Sequence, residues 1–310
     1  MDLGNTTFRK YGGAGFTLSG LPTEVAATCG RSIVVRDLCK LDDQSKKDLV
    51  SALQRLSDIA PLTKAQVIVR QLPPQHIGLG TKTSLLLGAL MAASLAAGVR
   101  LPKSLLQQIS GRGGTSGIGI NTFFKGGFLT DAGHNPAQSG GFAPSSSRRS
   151  IETPPVLCRV SIPQQWVFYL LLPRGRRFSG SLEQKFFKQN TPIQKAEVLQ
   201  SIALLYHGVL PAVITDNLTL LKGSIERLQK TGFKNRELKV QPKVVRDIIY
   251  SFKDTPECAV GLSSMGPLIY VIANKKNQQV NSQVELVCKV TNTNLLGIYA
   301  GRNRGFEVIA

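Results

Sequence analysis

Two spacings of apolar residues run through the chain. The β-branched runs "RSIVVRDL" (31–38) and "AQVIVRQL" (65–72) read as strands, and the polar segment between them, "DDQSKKDLVSALQRLSDIA" (42–60), has the spacing of a helix. From Leu85 to Val99 no residue is charged, which predicts a buried helix starting near Thr81, with a second helix at "PKSLLQQISGR" (102–112). Residues 135–155, "NPAQSGGFAPSSSRRSIETPP", are rich in Pro, Ser and Gly and read as a long surface loop or a domain boundary. After them "PVLCRVSI" and "WVFYLLLP" read as strands, "QSIALLYHGVLPAV" and "NLTLLKGSIERLQKTG" as helices, and "GPLIYVIAN" and "LGIYAGR" as late strands. No internal repeat is visible, and the alternation predicts an α+β protein with domains at residues 1–155 and 156–310.

Composition adds size and charge. With 310 residues, 42% of them hydrophobic, the chain can bury a large core. Its 38 Lys and Arg against 19 Asp and Glu give a net charge of +19, which attracts phosphorylated small molecules, nucleic acid and anionic lipid alike. The cations are spread from Arg9 to Arg304 without a basic tail. One Trp, and no known nucleic-acid motif, argue against a nucleic-acid partner. The uncharged run from Thr83 to Val99 is the membrane candidate, but it falls short of a full span and reads better as a core helix. The N-terminus lacks the apolar core of a secretory signal, making the cytoplasm the default. Cys29, Cys39, Cys158, Cys258 and Cys288 are odd in number and never spaced as CxxC, so reduced thiols are expected, with neither a disulfide framework nor a zinc site.

Three glycine-rich stretches bring candidate chemistry. In "GLGTKTS" (78–84) the glycines precede a helix whose first turn offers unpaired N–H groups and the positive end of its dipole, a ready anion site, with Lys82 adding a point charge. "GRGGTSGIGINTFFKGGFLTDAGH" (111–134) and "GLSSMGPLIY" (261–270) likewise set glycines beside hydroxyl side chains. Any one could be a tight turn; three in a basic chain favour a phosphorylated ligand.

Taken in order, "PQHIGLGTKTSLLL", the 111–134 stretch, "FAPSSS", "PPVLCRVSIPQQWVFYLLLP", "RRFSGSLEQKFF" and "GLSSMGPLIY" resemble the β-ribofuranosylaminobenzene 5′-phosphate synthase family of the GHMP kinase superfamily. The resemblance covers nearly the whole chain and is most specific at 111–134. It implies a GHMP-kinase-like α+β fold, with a ribosomal-protein-like N-terminal and a ferredoxin-like C-terminal domain. It implies an enzyme that joins phosphoribosyl pyrophosphate to an aromatic carboxylate with loss of CO2 and pyrophosphate. In methanopterin biosynthesis the acceptor is 4-aminobenzoate; related C-nucleoside enzymes take a heteroaromatic one. A homodimer and Mg2+, carried mainly by the pyrophosphate, are further expectations. An ATP-dependent GHMP small-molecule kinase and a non-catalytic nucleic-acid binder remain alternatives.

Against that chemistry, Gly78, Leu79, Gly80, Thr81, Lys82 and Thr83 form the expected pyrophosphate cradle, with Lys82 neutralising the leaving group. Arg112, Gly113, Gly114, Thr115, Ser116 and Gly117 form a second loop whose guanidinium clamps either the 5′-phosphate or the acceptor carboxylate, or simply ends a helix. His76 and His134 are candidate hydrogen-bond donors or acid/base groups, and Asp131 a proton acceptor or metal holder; structural roles compete for all three. Ser263, Ser264 and Gly266 are expected to close over the ligand from the second domain. Asp216 matches a family position but also suits a helix cap, His207 reads as structural, and Arg176 and Arg177 are weaker basic candidates. The chain departs from the family in two places. Met1 falls just after an expected strand bearing Arg and His, and Ser84 replaces the more usual Gln, a change that could alter the acceptor. No carboxylate is evident near the first loop's helix, which weakens the kinase reading.

Overall fold

The computed structural model describes residues 2–136, 141–144, 152–174 and 180–309. Its first sheet holds β2 (Glu24–Cys29), β4 (Ala65–Gln71) and β3 (Val34–Asp37) in that order, β3 parallel to β4 and β2 antiparallel. Ala65, Val67 and Val69 point from β4 into the core, as the period of two requires. They meet Leu49, Leu53 and Leu56 of α1 (Asp43–Ile59), a helix capped by Asp42, whose side chain accepts the Ser45 N–H. α2 (Thr81–Ala96) buries Leu85, Leu86, Leu87, Leu90 and Ala93 in the same cluster and is covered on several sides, which is why its sequence is uniformly apolar rather than striped. α3 (Lys103–Ser110) closes the cluster with Leu106 and Ile109.

A second, antiparallel sheet orders β1 (Gly13–Phe16), β5 (Phe128–Asp131) and β6 (Val156–Val160), with α4 (Ile118–Lys125) leading into β5. The strand that starts at residue 156 therefore extends a sheet of the first half. A third sheet begins with β7 (Trp166–Leu172) and takes in β8 (Cys258–Leu262), β9 (Ile269–Asn274) and β10 (Asn294–Ala300) in the antiparallel order β10-β7-β9-β8. That is the order of the split βαβ unit. Among the described residues its first crossover is expanded into five helices: α5 (Ser181–Asn190), α6 (Lys195–Ile214, with a π turn at Leu205–Val209), α7 (Leu218–Gln229), α8 (Gly232–Lys239) and α9 (Lys243–Ser251). The second crossover is α10 (Gln278–Thr291).

The two halves are sewn together. The Phe16 ring lies 4.7 Å from that of Phe128 and 5.3 Å from that of Phe168, joining the second and third sheets. Beyond β10 the chain returns to the first half: Arg302 donates its N–H to Thr17, Gly127 donates to Arg302, and Phe306 stacks on Phe123 at 5.1 Å. Among the described residues α6 is the helix long and apolar enough to cross a membrane, while α2 is shorter. The structure thus moves the membrane candidate from Thr83–Val99 to a helix whose inner face, Val198, Leu205, Val209 and Ala212, is buried in the protein.

Candidate active site

The first glycine loop is held by the second half of the chain. Gly78 has a φ of +101°, and a Cβ built on it would stand 2.2 Å from the carbonyl oxygen of Ser263. Only glycine permits both the angle and the approach. Ser263 donates its hydroxyl to the Gly78 carbonyl at 2.9 Å, in a turn closed by the Gly266 N–H on the Ser263 carbonyl, with Ser264 at a φ of +54°. Lys234 of α8 reaches the Ser264 carbonyl at 3.3 Å and pairs with Glu237, adding a cation beside this turn. Gly80 then takes a φ of +69° at the N-cap of α2, where no side chain caps the helix. The Thr83 N–H turns back to the Gly80 carbonyl at 2.9 Å, which leaves the N–H groups of Thr81 and Lys82 to a ligand or to solvent. The Thr81 hydroxyl donates to the Pro74 carbonyl and is thereby committed to the loop.

Lys82, on that first turn, contacts Asp48 of α1. This corrects the expectation that no carboxylate lies near the first loop's helix. A whole strand, β4, separates Asp48 from Lys82 along the chain, so no local pattern announces the pair; the packing of α1 on α2 brings the two together.

The second loop meets the first through Arg112, whose Nε donates to the Thr83 hydroxyl at 3.1 Å. Burial holds its pKa below the usual guanidinium value, against the charges of Glu183 and Asp48, which favour the cation. Thr83 also faces Gly119 of α4: a Cβ there would lie 3.3 Å from the Thr83 methyl. The first turns of α2 and α4 therefore converge, with a desolvated guanidinium between the two loops and no acidic residue in either first turn. Among the loop glycines, Gly113 has a φ of +89°, while Gly117 is the N-cap of α4. Gly114 and Thr115 are buried between them.

Asp131, at the end of β5, is the internal anion of the second loop. One carboxylate oxygen accepts the Ser116 hydroxyl at 3.0 Å and the Gly117 N–H at 3.1 Å; the other accepts the Gly133 N–H at 2.8 Å. Burial pushes its pKa up to about 6, although those three hydrogen bonds pull the other way. The structure thus ties Asp131 to the loop backbone, through which it positions the start of α4.

The remaining candidates scatter. His76, at a φ of +60°, lies 3.4 Å from Asp42 at the N-terminus of α1. His134 pairs its backbone with Lys10, and its ring stands edge-on to Tyr11 at 6.1 Å. Asp216 accepts the indole N–H of Trp166 at 2.6 Å, and its neighbour Asn217 is the cap of α7. His207 is exposed at the π turn of α6. Arg176 and Arg177 lie outside the described residues. Asp48, Glu183 and Lys234 are the charged neighbours that sequence reasoning missed.

The fold is that of the GHMP kinases. Homoserine kinase from Cytophaga hutchinsonii superposes with a TM-score of 0.66 at 13% identity, covering 94% of this chain and 90% of that one. Mevalonate kinase from Methanococcus jannaschii gives 0.64 at 12%, covering 94% and 92%. No family model matches the chain. Its sequence is 30% identical over 315 residues to the β-ribofuranosylphenol 5′-phosphate synthase of Methanothermobacter thermautotrophicus, covering 100% of this chain and 94% of that protein. The protein of the same name from Methanocaldococcus jannaschii is 30% identical over 287 residues, 89% of this chain and 86% of that protein. The chain belongs to this synthase family and is an enzyme of it.

Proposed function

We propose that this enzyme joins phosphoribosyl pyrophosphate to a 4-substituted benzoate, releasing CO2 and pyrophosphate, as a step of methanopterin biosynthesis. The reading is carried by the uncapped N-terminus of α2 at Gly80, brought against the first turn of α4, with the Arg112 guanidinium between the two loops. Such a place suits an anion whose charge grows during reaction. The relatives are named for a ribofuranosylphenol product, which favours a hydroxyl on the acceptor over the amino group that the sequence resemblance implies.

The balance of the reaction assigns roles. The anomeric C–O bond breaks with its electron pair leaving on pyrophosphate. The ring carbon that bears the carboxylate supplies the electrons of the new C–C bond, and the pair from its bond to CO2 restores the aromatic ring. No proton need be taken from carbon, so His76 and His134 need not act as bases. The carboxylate loses its charge as CO2 departs, whereas pyrophosphate gains charge. A guanidinium on the carboxylate would stabilise the ground state more than the transition state. Arg112 therefore belongs on the phosphate side, with the N–H groups of Thr81 and Lys82 and the Lys82 ammonium beside it. The Ser263–Gly266 turn seats the first loop, and Asp131 seats the second.

Among the described residues no group of three or more His, Cys, Asp or Glu comes together, and Asp131 already serves three donors. These residues do not fit a metal caged by the protein alone; Mg2+ fits better as an ion that enters with the pyrophosphate. The cytoplasm and a homodimer complete the proposal.

The test is release of pyrophosphate and CO2 from phosphoribosyl pyrophosphate with 4-hydroxybenzoate, 4-aminobenzoate and heteroaromatic carboxylates, with Lys82→Ala alongside. Release dependent on one acceptor is expected; release of neither product with any acceptor would overturn the reading. Arg112→Gln is expected to lower kcat/KM by about 100-fold or more. Equilibrium titrations should place that loss on phosphoribosyl pyrophosphate and pyrophosphate, leaving affinity for the aromatic carboxylate nearly unchanged. Asp48 beside Lys82 favours one second reading, an ATP-dependent small-molecule kinase, which consumption of ATP without release of CO2 would support.

A further inference from the structure

We propose that the segment after β10, residues 301–307, is a strap that seats α4, and that Phe306 on it is a positioning residue for the place where Arg112 meets the start of α2. The function of the strap rests on the reading of that place as the pyrophosphate site; its mechanical part does not.

α4 is eight residues long, too short to keep its shape or its place unaided. Its position is therefore set by what packs on each end. At its start, Asp131 accepts the Gly117 N–H at 3.1 Å. At its end lies the strap. A Cβ on Gly305 would stand 2.2 Å from the Phe124 carbonyl oxygen, and a Cβ on Gly126, at a φ of +61°, would stand 2.2 Å from that of Arg304. Backbone lies on backbone from both sides, an approach that needs glycine. The Phe306 N–H donates to the Phe123 carbonyl at 2.7 Å, satisfying one of the acceptors that the last turn of a helix leaves open. Its ring stacks on that of Phe123 at 5.1 Å, 8° from parallel, and stands edge-on to Phe124 at 5.9 Å. Phe123 and Phe124 pack in turn against the core of α1, α2 and α3.

The strap is itself stiff. Arg302 donates to the Gly305 carbonyl at 2.7 Å and pairs with Glu307 at 3.4 Å. The Asn303 amide accepts the Ile162 N–H at 2.7 Å and donates to the Ile162 carbonyl at 2.9 Å. Behind it, β10 is one edge of the third sheet, and β8, the other edge, leads to the Ser263 turn that seats the first loop. One sheet thus holds the start of α2 from one edge and the end of α4 from the other. At about 1.5 Å per residue α4 spans about 12 Å, so a tilt at Phe123 is felt at Gly119. There the absent Cβ leaves room for the Thr83 side chain, whose hydroxyl accepts the Arg112 guanidinium. A ligand held by both loops depends on that spacing, because a shift of about 1 Å in a reacting site commonly costs about 100-fold.

The test is amide hydrogen exchange of the full chain, with calorimetric titration of inorganic pyrophosphate alongside. Phe306 is 37% exposed, so Phe306→Ala removes the stack without opening a buried cavity. Exchange over residues 116–120 is expected to rise by about tenfold or more, with β7 and β9 unchanged, and the Kd of pyrophosphate to rise by about tenfold. Gly305→Ala, which lifts the strap by its backbone, should do the same. Phe306→Tyr keeps the stack and should keep wild-type values; Val308→Ala, at a position 64% exposed beyond the strap, should change neither. A staple that serves stability alone would raise exchange only at the end of α4 and in the strap, or in every element together, and either pattern overturns the proposal. Unchanged pyrophosphate affinity in a variant loosened at residues 116–120 overturns it as well. Wild-type chain that binds no pyrophosphate would instead sink the catalytic reading, and the exchange measurement would still decide the strap.

Discussion

Gly78→Ala is expected to reduce turnover by about 100-fold or more, since a misplacement of about 1 Å in a reacting site commonly costs that much. The new Cβ meets the carbonyl oxygen of Ser263 at 2.2 Å and its carbonyl carbon at 3.0 Å. Both are backbone, so no side-chain rotation relieves the clash, and the φ of +101° is itself unfavourable for alanine. Either the Ser263–Gly266 turn retreats or the first loop does. In both cases the N-terminus of α2 loses its seat, and stability should fall by about 2–4 kcal/mol. Ser263→Ala is the informative companion. It keeps the backbone approach and deletes one hydrogen bond, a loss of about 1 kcal/mol. Steady-state kinetics and thermal unfolding of the two variants check the claim; a fully active Gly78→Ala enzyme would refute the role given to this contact.

Asp131→Asn separates stability from activity. In the wild-type fold the carboxyl holds its proton up to a pH of about 6, above the ordinary value of 3.8. Between those limits the folded state binds more protons than the unfolded one. The contribution of Asp131 to stability is therefore complete below pH 3.8 and is lost as pH rises through about 6, with an amplitude of about 3 kcal/mol. Asparagine cannot ionise, so this slope should vanish from the difference between variant and wild type. At neutral pH the amide is spared the cost of a buried charge but offers one acceptor to three donors, a mismatch of about 1–3 kcal/mol. The two effects nearly offset, and the unfolding midpoint should move little. Activity should still fall by about tenfold or more, because the second loop loses an anchor for Ser116, Gly117 or Gly133. The wild-type rate should decline below pH about 6 as the carboxylate protonates, a limb absent from the residual activity of the variant. Denaturant melts from pH 4 to 8 and pH–rate profiles decide; a variant with wild-type activity would leave Asp131 without a positioning role.

Much of this enzyme can be read along the chain. The glycines that need positive φ, the uncapped start of α2 and the uniformly apolar run behind it are local facts, and they mark the anion loops without any tertiary contact. β3, β4, α1, α2 and α3 follow from spacing because each has a periodic face or a clear boundary. The misses have more than one cause. β5 and β8 are short and buried at every position, so they show neither alternation nor length. β8 in particular hides in the run that leads to the Ser263 turn. α10 is polar enough to pass for a loop despite its buried Val280, Val284 and Val287.

The sequence by itself determined where backbone N–H groups could be opened to an anion, because that depends on glycine and on helix starts, both properties of neighbouring residues. Only the tertiary structure decided what surrounds them. It set Asp48 against Lys82, Arg112 on Thr83, Asp131 beneath the second loop and Ser263 against Gly78, a contact spanning 185 residues. Such pairings arise when whole helices and sheets pack to bury their apolar faces, and a polar side chain carries no mark in its own neighbourhood of the partner that packing will bring to it.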